Sequence, residues 1–137
     1  MKIVLDASLA IAAFTREEHT DAAQAVMREI ALHGAEAPSL WRLEVANVLR
    51  TLVLRGRASN AFADDVLATL SAFPIAIDPE TDQRAWSETL LLSRELGLTL
   101  YDAAYLELAI RREARLATLD KPLTAAALRC GVEVLPG

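Results

Sequence analysis

Cysteine occurs once in the 137 residues, at Cys130, which excludes an internal disulfide. With only two scattered histidines, His19 and His33, there is no soft-ligand set for structural zinc. A reducing, cytoplasmic compartment is the expectation, and Cys130, with no His or Asp neighbour to activate it, reads as a small buried hydrophobe. Aromatic residues are scarce at 5% while hydrophobic residues reach 53%, so the core must be built from Leu, Ala, Val and Ile. Positive charge is also in deficit. The net charge of −5 is the reverse of what phosphate neutralisation across a broad surface requires, although it fits a chain that gathers carboxylates in a cleft. No apolar run approaches the ~18 residues of a spanning helix, and Met1-Lys2-Ile3-Val4-Leu5-Asp6 turns acidic too soon for a signal-peptide core, so no membrane association is expected. Linkers, repeats and low-complexity segments are absent, and one domain over residues 1–137 is expected to bury roughly two-thirds of the surface its unfolded chain exposes.

What is present alternates between two periods. Met1 to Leu5 is short and β-branched and reads as a strand buried on both faces. A short helix over 9–14 follows, then an amphipathic one over 17–32, with Ala22, Ala23, Val26 and Ile30 at helical spacing and His33-Gly34 as the stop. Residues 35–37 suggest a second strand. Pro38-Ser39 opens a long helix to Arg55, with Ser39 as its cap and Gly56 as its stop, and a further helix spans 59–72. Ile75-Ala76-Ile77 reads as a third strand. Residues 81–96 read as one helix with Trp86, Leu90 and Leu91 on one face, ended by Gly97, and another helix covers 100–113. Leu116 to Leu119 forms the fourth strand, 122–128 a last helix and 132–134 the fifth strand. This alternation predicts an α/β sandwich: a mostly parallel, about five-stranded sheet covered by helices, binding ligands outside the carboxyl ends of its strands.

Four acids stand out against this pattern. Asp6 ends the first apolar run and Asp120 closes Leu116-Ala117-Thr118-Leu119, so both fall at strand carboxyl ends. Glu44 and Asp102 lie within apolar helices; the ridge neighbours of Glu44 are Leu40, Val48 and Leu52. Each has a plainer reading beside the functional one. Asp6 could cap the short helix, Thr99-Leu100-Tyr101-Asp102 matches a capping box, and Asp120 before Lys121-Pro122 is an ordinary N-cap. A carboxylate among apolar side chains costs several kcal/mol unless compensated, and a divalent cation is the economical partner. Ser8 and Thr118 offer hydroxyls near the same edge. Glu17, Glu18, Asp64, Asp65, Glu88 and Glu95 read as solubilising, Asp78 is less easily dismissed, and Trp41 and Trp86 read as core.

Val4-Leu5-Asp6-Ala7-Ser8, Trp41-Arg42-Leu43-Glu44-Val45-Ala46-Asn47, Leu100-Tyr101-Asp102-Ala103-Ala104-Tyr105 and Ala117-Thr118-Leu119-Asp120 together resemble the motifs of PIN-domain ribonucleases, specifically VapC-type toxins. The resemblance spans essentially the whole chain, in the family's order and approximate spacing. It implies a PIN-like fold and a pocket in which Asp6, Glu44, Asp102 and Asp120 hold Mg²⁺, with Mn²⁺ as a possible substitute, and cut single-stranded or looped RNA. Ser8 and Thr118 match accessory hydroxyl positions. The fourth motif continues Lys121-Pro122-Leu123, where many members carry another acid or an aromatic residue. The resemblance also implies a cognate VapB-like antitoxin and a homodimer. Arg16, Arg42 and Lys121 lie near the acids in sequence and are candidates for gripping RNA. Two rival readings are a phospho-accepting receiver domain, partly imitated by Asp6, Asp78 and Lys121-Pro122, and a PIN-like module that binds RNA or a partner without cutting.

Overall fold

A computed structural model of the chain describes residues 1–15 and 20–137. Five short strands, β1 (Ile3–Leu5), β2 (Ala35–Ala37), β3 (Ile75–Ile77), β4 (Arg115–Ala117) and β5 (Val134–Leu135), form one sheet in the order β3-β2-β1-β4-β5. Every pairing is parallel, with Val4 opposite Glu36 and Leu5 opposite Ala117. The expected α/β architecture is therefore present, and the sheet is wholly parallel. Ile3, Val4 and Leu5 are buried on both sides, as a central strand covered by helices requires.

The helices are α1 (Ala7–Ala12), α2 (Thr20–His33), α3 (Trp41–Leu54), α4 (Asn60–Ser71), α5 (Thr81–Arg84), α6 (Glu88–Leu96), α7 (Leu100–Arg111) and α8 (Lys121–Arg129). In α2 the buried face is Ala23, Val26, Met27 and Ile30. The start expected for that helix, with Arg16, Glu17, Glu18 and His19, lies outside the described residues. Gly34 ends α2 at φ 81°, where a Cβ would also meet the Pro74 carbonyl oxygen at 3.2 Å. Both facts demand glycine there. Helix α7 is the central one: every residue from Ala103 to Ala109 is buried, against β1 and β4 among others. Among the described residues no helix is long and apolar enough to cross a membrane.

Four expectations are corrected. The single helix over 81–96 is two helices: Ala85 N–H bonds to the Asp82 carbonyl and Ser87 N–H to the Arg84 carbonyl, tighter i→i−3 closures that end α5 before α6 starts afresh. Trp86 sits in that break and is 91% exposed, so it is not core; the helical phase that would have turned it inward is interrupted. Ser39 does not cap α3. Its N–H donates to Thr81 Oγ1 at 3.0 Å and its hydroxyl to Asp82 Oδ1 at 3.4 Å, leaving Leu40 at the cap position without a side-chain bond. Cys130 is exposed rather than buried, because it follows the last turn of α8 at the surface. Trp41, by contrast, is core as expected.

Strand order decides where a site can form. From β1 the chain proceeds to β2 and β3 on one side, whereas β4 and β5 lie on the other, so the connections diverge between β1 and β4. That divergence opens a crevice at the carboxyl ends of β1 and β4.

Candidate acidic site at the strand switch point

Asp6 is the first residue beyond β1, and its N–H continues the ladder to the Ala117 carbonyl at 2.9 Å. It occupies the N-cap position of α1, yet its side chain makes no capping bond. Instead Oδ2 accepts the Ser8 and Thr118 hydroxyls, each at 2.7 Å. These hydroxyls are themselves oriented by backbone: Leu119 N–H donates to Ser8 Oγ at 3.2 Å and Asp120 N–H to Thr118 Oγ1 at 3.0 Å. A hydroxyl that accepts an N–H keeps its own proton to give away, so both protons are committed to Asp6. The loop leaving β4 thereby fixes a carboxylate leaving β1.

Asp120 is the N-cap of α8, its Oδ2 accepting Leu123 N–H at 2.9 Å. The plainer reading of this residue is thus realised, without removing its charge from the crevice. In α7, Thr99 is the cap and accepts Asp102 N–H at 3.1 Å, which sets Asp102 in the helix's first turn. Glu44, half-buried in the first turn of α3, is reached by the buried phenol of Tyr105, which donates to Oε1 at 2.5 Å across 61 residues of sequence.

The acids feel one another's charge pairwise: Asp6 and Asp102 feel Asp120, and Glu44 feels Asp6 and Asp102. Burial pushes the Asp6 carboxyl upward, the Thr118 and Ser8 hydroxyls partly offset this, and the Asp120 charge adds to the rise. Asp102 is raised by burial and then by the charges of Asp120 and Asp6. Glu44 is raised by burial, opposed by the Tyr105 hydroxyl, with Asp6 and Asp102 adding to the rise. Among the described residues none of the four takes part in an ion pair. Nor do any three His, Cys, Asp or Glu side chains of the described residues close into a ready-made metal-binding group. The acids stand within electrostatic range without collapsing together, as uncompensated like charges should.

A second acidic cluster is built differently. Asp78, just beyond β3 and 2% exposed, takes Arg111 Nη2 at 2.7 Å and Nη1 at 3.1 Å, while Thr81 donates to it at 2.9 Å. Arg111 also grips Glu107 through Nε at 2.9 Å and Nη2 at 3.0 Å, and Glu80 lies at 3.4 Å. Arg112 pairs with Glu36 at 3.2 Å. Burial alone would raise Asp78, but the bonds from Arg111 and Thr81 outweigh it and hold its carboxyl below the usual range. A buried, bidentate-bound Asp78 cannot serve as a phospho-acceptor, and Lys121 opens α8 after the fourth strand, so the receiver-like reading is set aside.

Sequence reasoning placed Asp6 and Asp120 at strand ends and added Glu44 and Asp102 through the family resemblance; the structure joins Ser8 and Thr118 to Asp6. Sequence reasoning missed Tyr105, whose signal is its place three residues after Asp102 on the same helical face. Arg42 and Lys121 are exposed, and Arg16 lies outside the described residues. A cleft between α3 and α4, lined by Trp41, Arg42, Val45, Leu67, Leu70 and Ser71, includes none of the four acids.

The PIN domain family model matches residues 3–128. Ribonuclease VapC3 of Pyrobaculum aerophilum is 34% identical over 124 residues, covering 90% of this chain and 92% of that protein. The crystal structure of PAE2754 from Pyrobaculum aerophilum superposes with a TM-score of 0.71 at 28% identity, over 98% of this chain and 92% of that one. VapC20 of Mycobacterium tuberculosis, a sarcin-ricin loop cleaving toxin, superposes at 0.66 with 15% identity over 90% and 94% of the two chains. VapBC2 of Rickettsia felis, solved with a promoter DNA fragment, gives 0.63 at 13% identity over 98% and 97%. At these two lower identities the likeness is one of fold.

Proposed function

The chain belongs to the PIN-domain family as a VapC-type ribonuclease, and from that premise we propose that it is a Mg²⁺-dependent endoribonuclease whose site is Asp6, Glu44, Asp102 and Asp120. One observation supports the assignment: Asp6, Glu44 and Asp102 are raised by burial and by neighbouring acidic charge, that of Asp120 included, and none of the four acids has an ion-pair partner among the described residues. Their chemistry fits a hard divalent cation. All donors are oxygens, and Mg²⁺ or Mn²⁺ accepts a few carboxylates while keeping several waters.

When bound, the cation would supply an activated water and neutralise charge building on the phosphodiester. The protein's own part is positional. Ser8 and Thr118 hold Asp6 in one orientation through Oδ2, and the backbone of Leu119 and Asp120 fixes those hydroxyls. Asp120 is anchored by capping α8, and Asp102 by its place in the capped first turn of α7. The substrate is single-stranded or looped RNA, and the exposed cations Arg42 and Lys121 are candidates for gripping its phosphates. The enzyme acts in the cytoplasm, consistent with a lone exposed thiol. It is the toxin of a pair with a VapB-like antitoxin, a reading supported by family membership and by the VapBC2 neighbour, and a homodimer is part of the same proposal.

The test is cleavage of a panel of structured RNAs by purified antitoxin-free protein with Mg²⁺ or Mn²⁺, set against EDTA and against Asp6→Asn. Metal-dependent cutting that Asp6→Asn loses supports the proposal. Folded protein that cuts nothing overturns it.

A further inference from the structure

Helix α7 is buried almost throughout, and the side chains it turns inward are small or aliphatic except for Glu107 and Tyr105. Glu107 is explained by Arg111. Tyr105 is fully buried, and a phenol hydroxyl in that setting is costly unless bonded. An apolar side chain would fill the same volume without that cost. The hydroxyl gives its proton to Glu44 Oε1 at 2.5 Å, and among the described residues this is the sole hydrogen bond to the Glu44 carboxylate.

Glu44 needs such a restraint more than its companions do. Asp6 is held by two hydroxyls and Asp120 by its cap, and both have short side chains. Glu44 approaches from a different helix on three rotatable bonds, half-exposed and within reach of the Asp6 and Asp102 charges. Tyr105 stands three residues beyond Asp102, so one face of α7 supplies one acid directly and governs the placement of another. We infer that Tyr105 is a positioning residue that holds the Glu44 carboxylate in the acidic crevice against repulsion, preorganising the site for its cation; this rests on the reading of that crevice as a divalent-cation site.

The experiment measures Mn²⁺ dissociation constants by electron paramagnetic resonance for the wild type, Tyr105→Phe, Glu44→Gln and the double variant. Thermal unfolding serves as the check that each is folded. Tyr105→Phe keeps the ring and removes only the hydroxyl. The expected result is Mn²⁺ affinity about tenfold weaker in Tyr105→Phe, within the range for partners that orient metal ligands, and no further loss when Tyr105→Phe is added to Glu44→Gln. A general loosening of the fold would instead weaken binding equally in both backgrounds, and that result overturns the inference. So does wild-type affinity in Tyr105→Phe while Asp6→Asn abolishes binding. Wild-type protein that takes up no Mn²⁺ would defeat the cation reading itself, and the positioning role with it.

Discussion

Two carboxylate clusters in one small domain are resolved in opposite ways. Around Asp78, each buried acid meets a guanidinium: Arg111 binds Asp78 and Glu107 with paired hydrogen bonds and reaches Glu80, while Arg112 takes Glu36. At the edge between β1 and β4, Asp6, Glu44 and Asp120 accept bonds from hydroxyls and a backbone N–H, and among the described residues neither they nor Asp102 meet a cation. In the first cluster every acid has a guanidinium partner, and the pairs tie the end of α7 to β3. The second is left with uncompensated negative charge, and that deficit is what makes it a candidate for function. Counting acids in the sequence does not separate the two; counting their cations in space does.

The largest expected effect lies in the ion-paired cluster. Arg111→Ala should destabilise the fold by about 3–5 kcal/mol, because Asp78 and Glu107 are left buried without their partner. Urea unfolding would check this, and a loss under about 1 kcal/mol would break the contrast drawn above. In the proposed site the expected outcome is reversed. Asp6→Asn should reduce RNA cleavage by more than about 100-fold, beyond the usual cost of disturbing a ligand's supporting shell, while the protein stays folded.

Dependence on pH should sharpen the comparison further. Asp6, Glu44 and Asp102 have folded pKa values raised above their ordinary 3.8, 4.5 and 3.8. In the window above those values the unfolded chain has released protons that the folded chain still holds, so their contribution to stability is full at lower pH and is lost as pH rises through the folded pKa values. Asp78 is lowered, so its contribution is present above 3.8 and is lost as pH falls through its folded value. Metal-free Asp6→Asn should therefore gain stability relative to metal-free wild type as pH climbs from about 4 to 7, on the order of 1 kcal/mol per unit of pKa shift removed. Added Mg²⁺ should restore the wild type at pH 7 and leave the variant unchanged. Parallel stability curves in EDTA would count against a strained acidic site. The smallest effect belongs to Glu80→Gln at the partly exposed rim of the Arg111 cluster, where a change within about 1 kcal/mol is expected in thermal unfolding.

Strands 35–37 and 75–77 read from sequence as they stand in the fold, and the parallel arrangement followed from helices between them, whereas the fifth strand, expected over 132–134, stands at Val134–Leu135. Helix 81–96 was misread because periodicity continues across residues 85–87 while the backbone does not, and Trp86 followed the phase into a false core position. Ser39 is a good cap by residue type, yet it is drawn away by Thr81 and Asp82, partners that no local window contains.

For the site, sequence by itself singled out the candidate residues. Acids stand at two strand ends and inside two apolar helices, flanked by Ser8 and Thr118, and their motifs run in the order of the PIN family. Only the tertiary structure decided which acids remain bare. The strand order sets β1 beside β4 and so brings Asp6 to Thr118 across 112 residues, α7 delivers Tyr105 to Glu44 across 61, and Arg111 reaches back to neutralise Asp78 across 33. Residue type sets whether a side chain can be charged, but the free energy of that charge depends on the solvent excluded around it and the partners within a few ångströms, and both are properties of the fold.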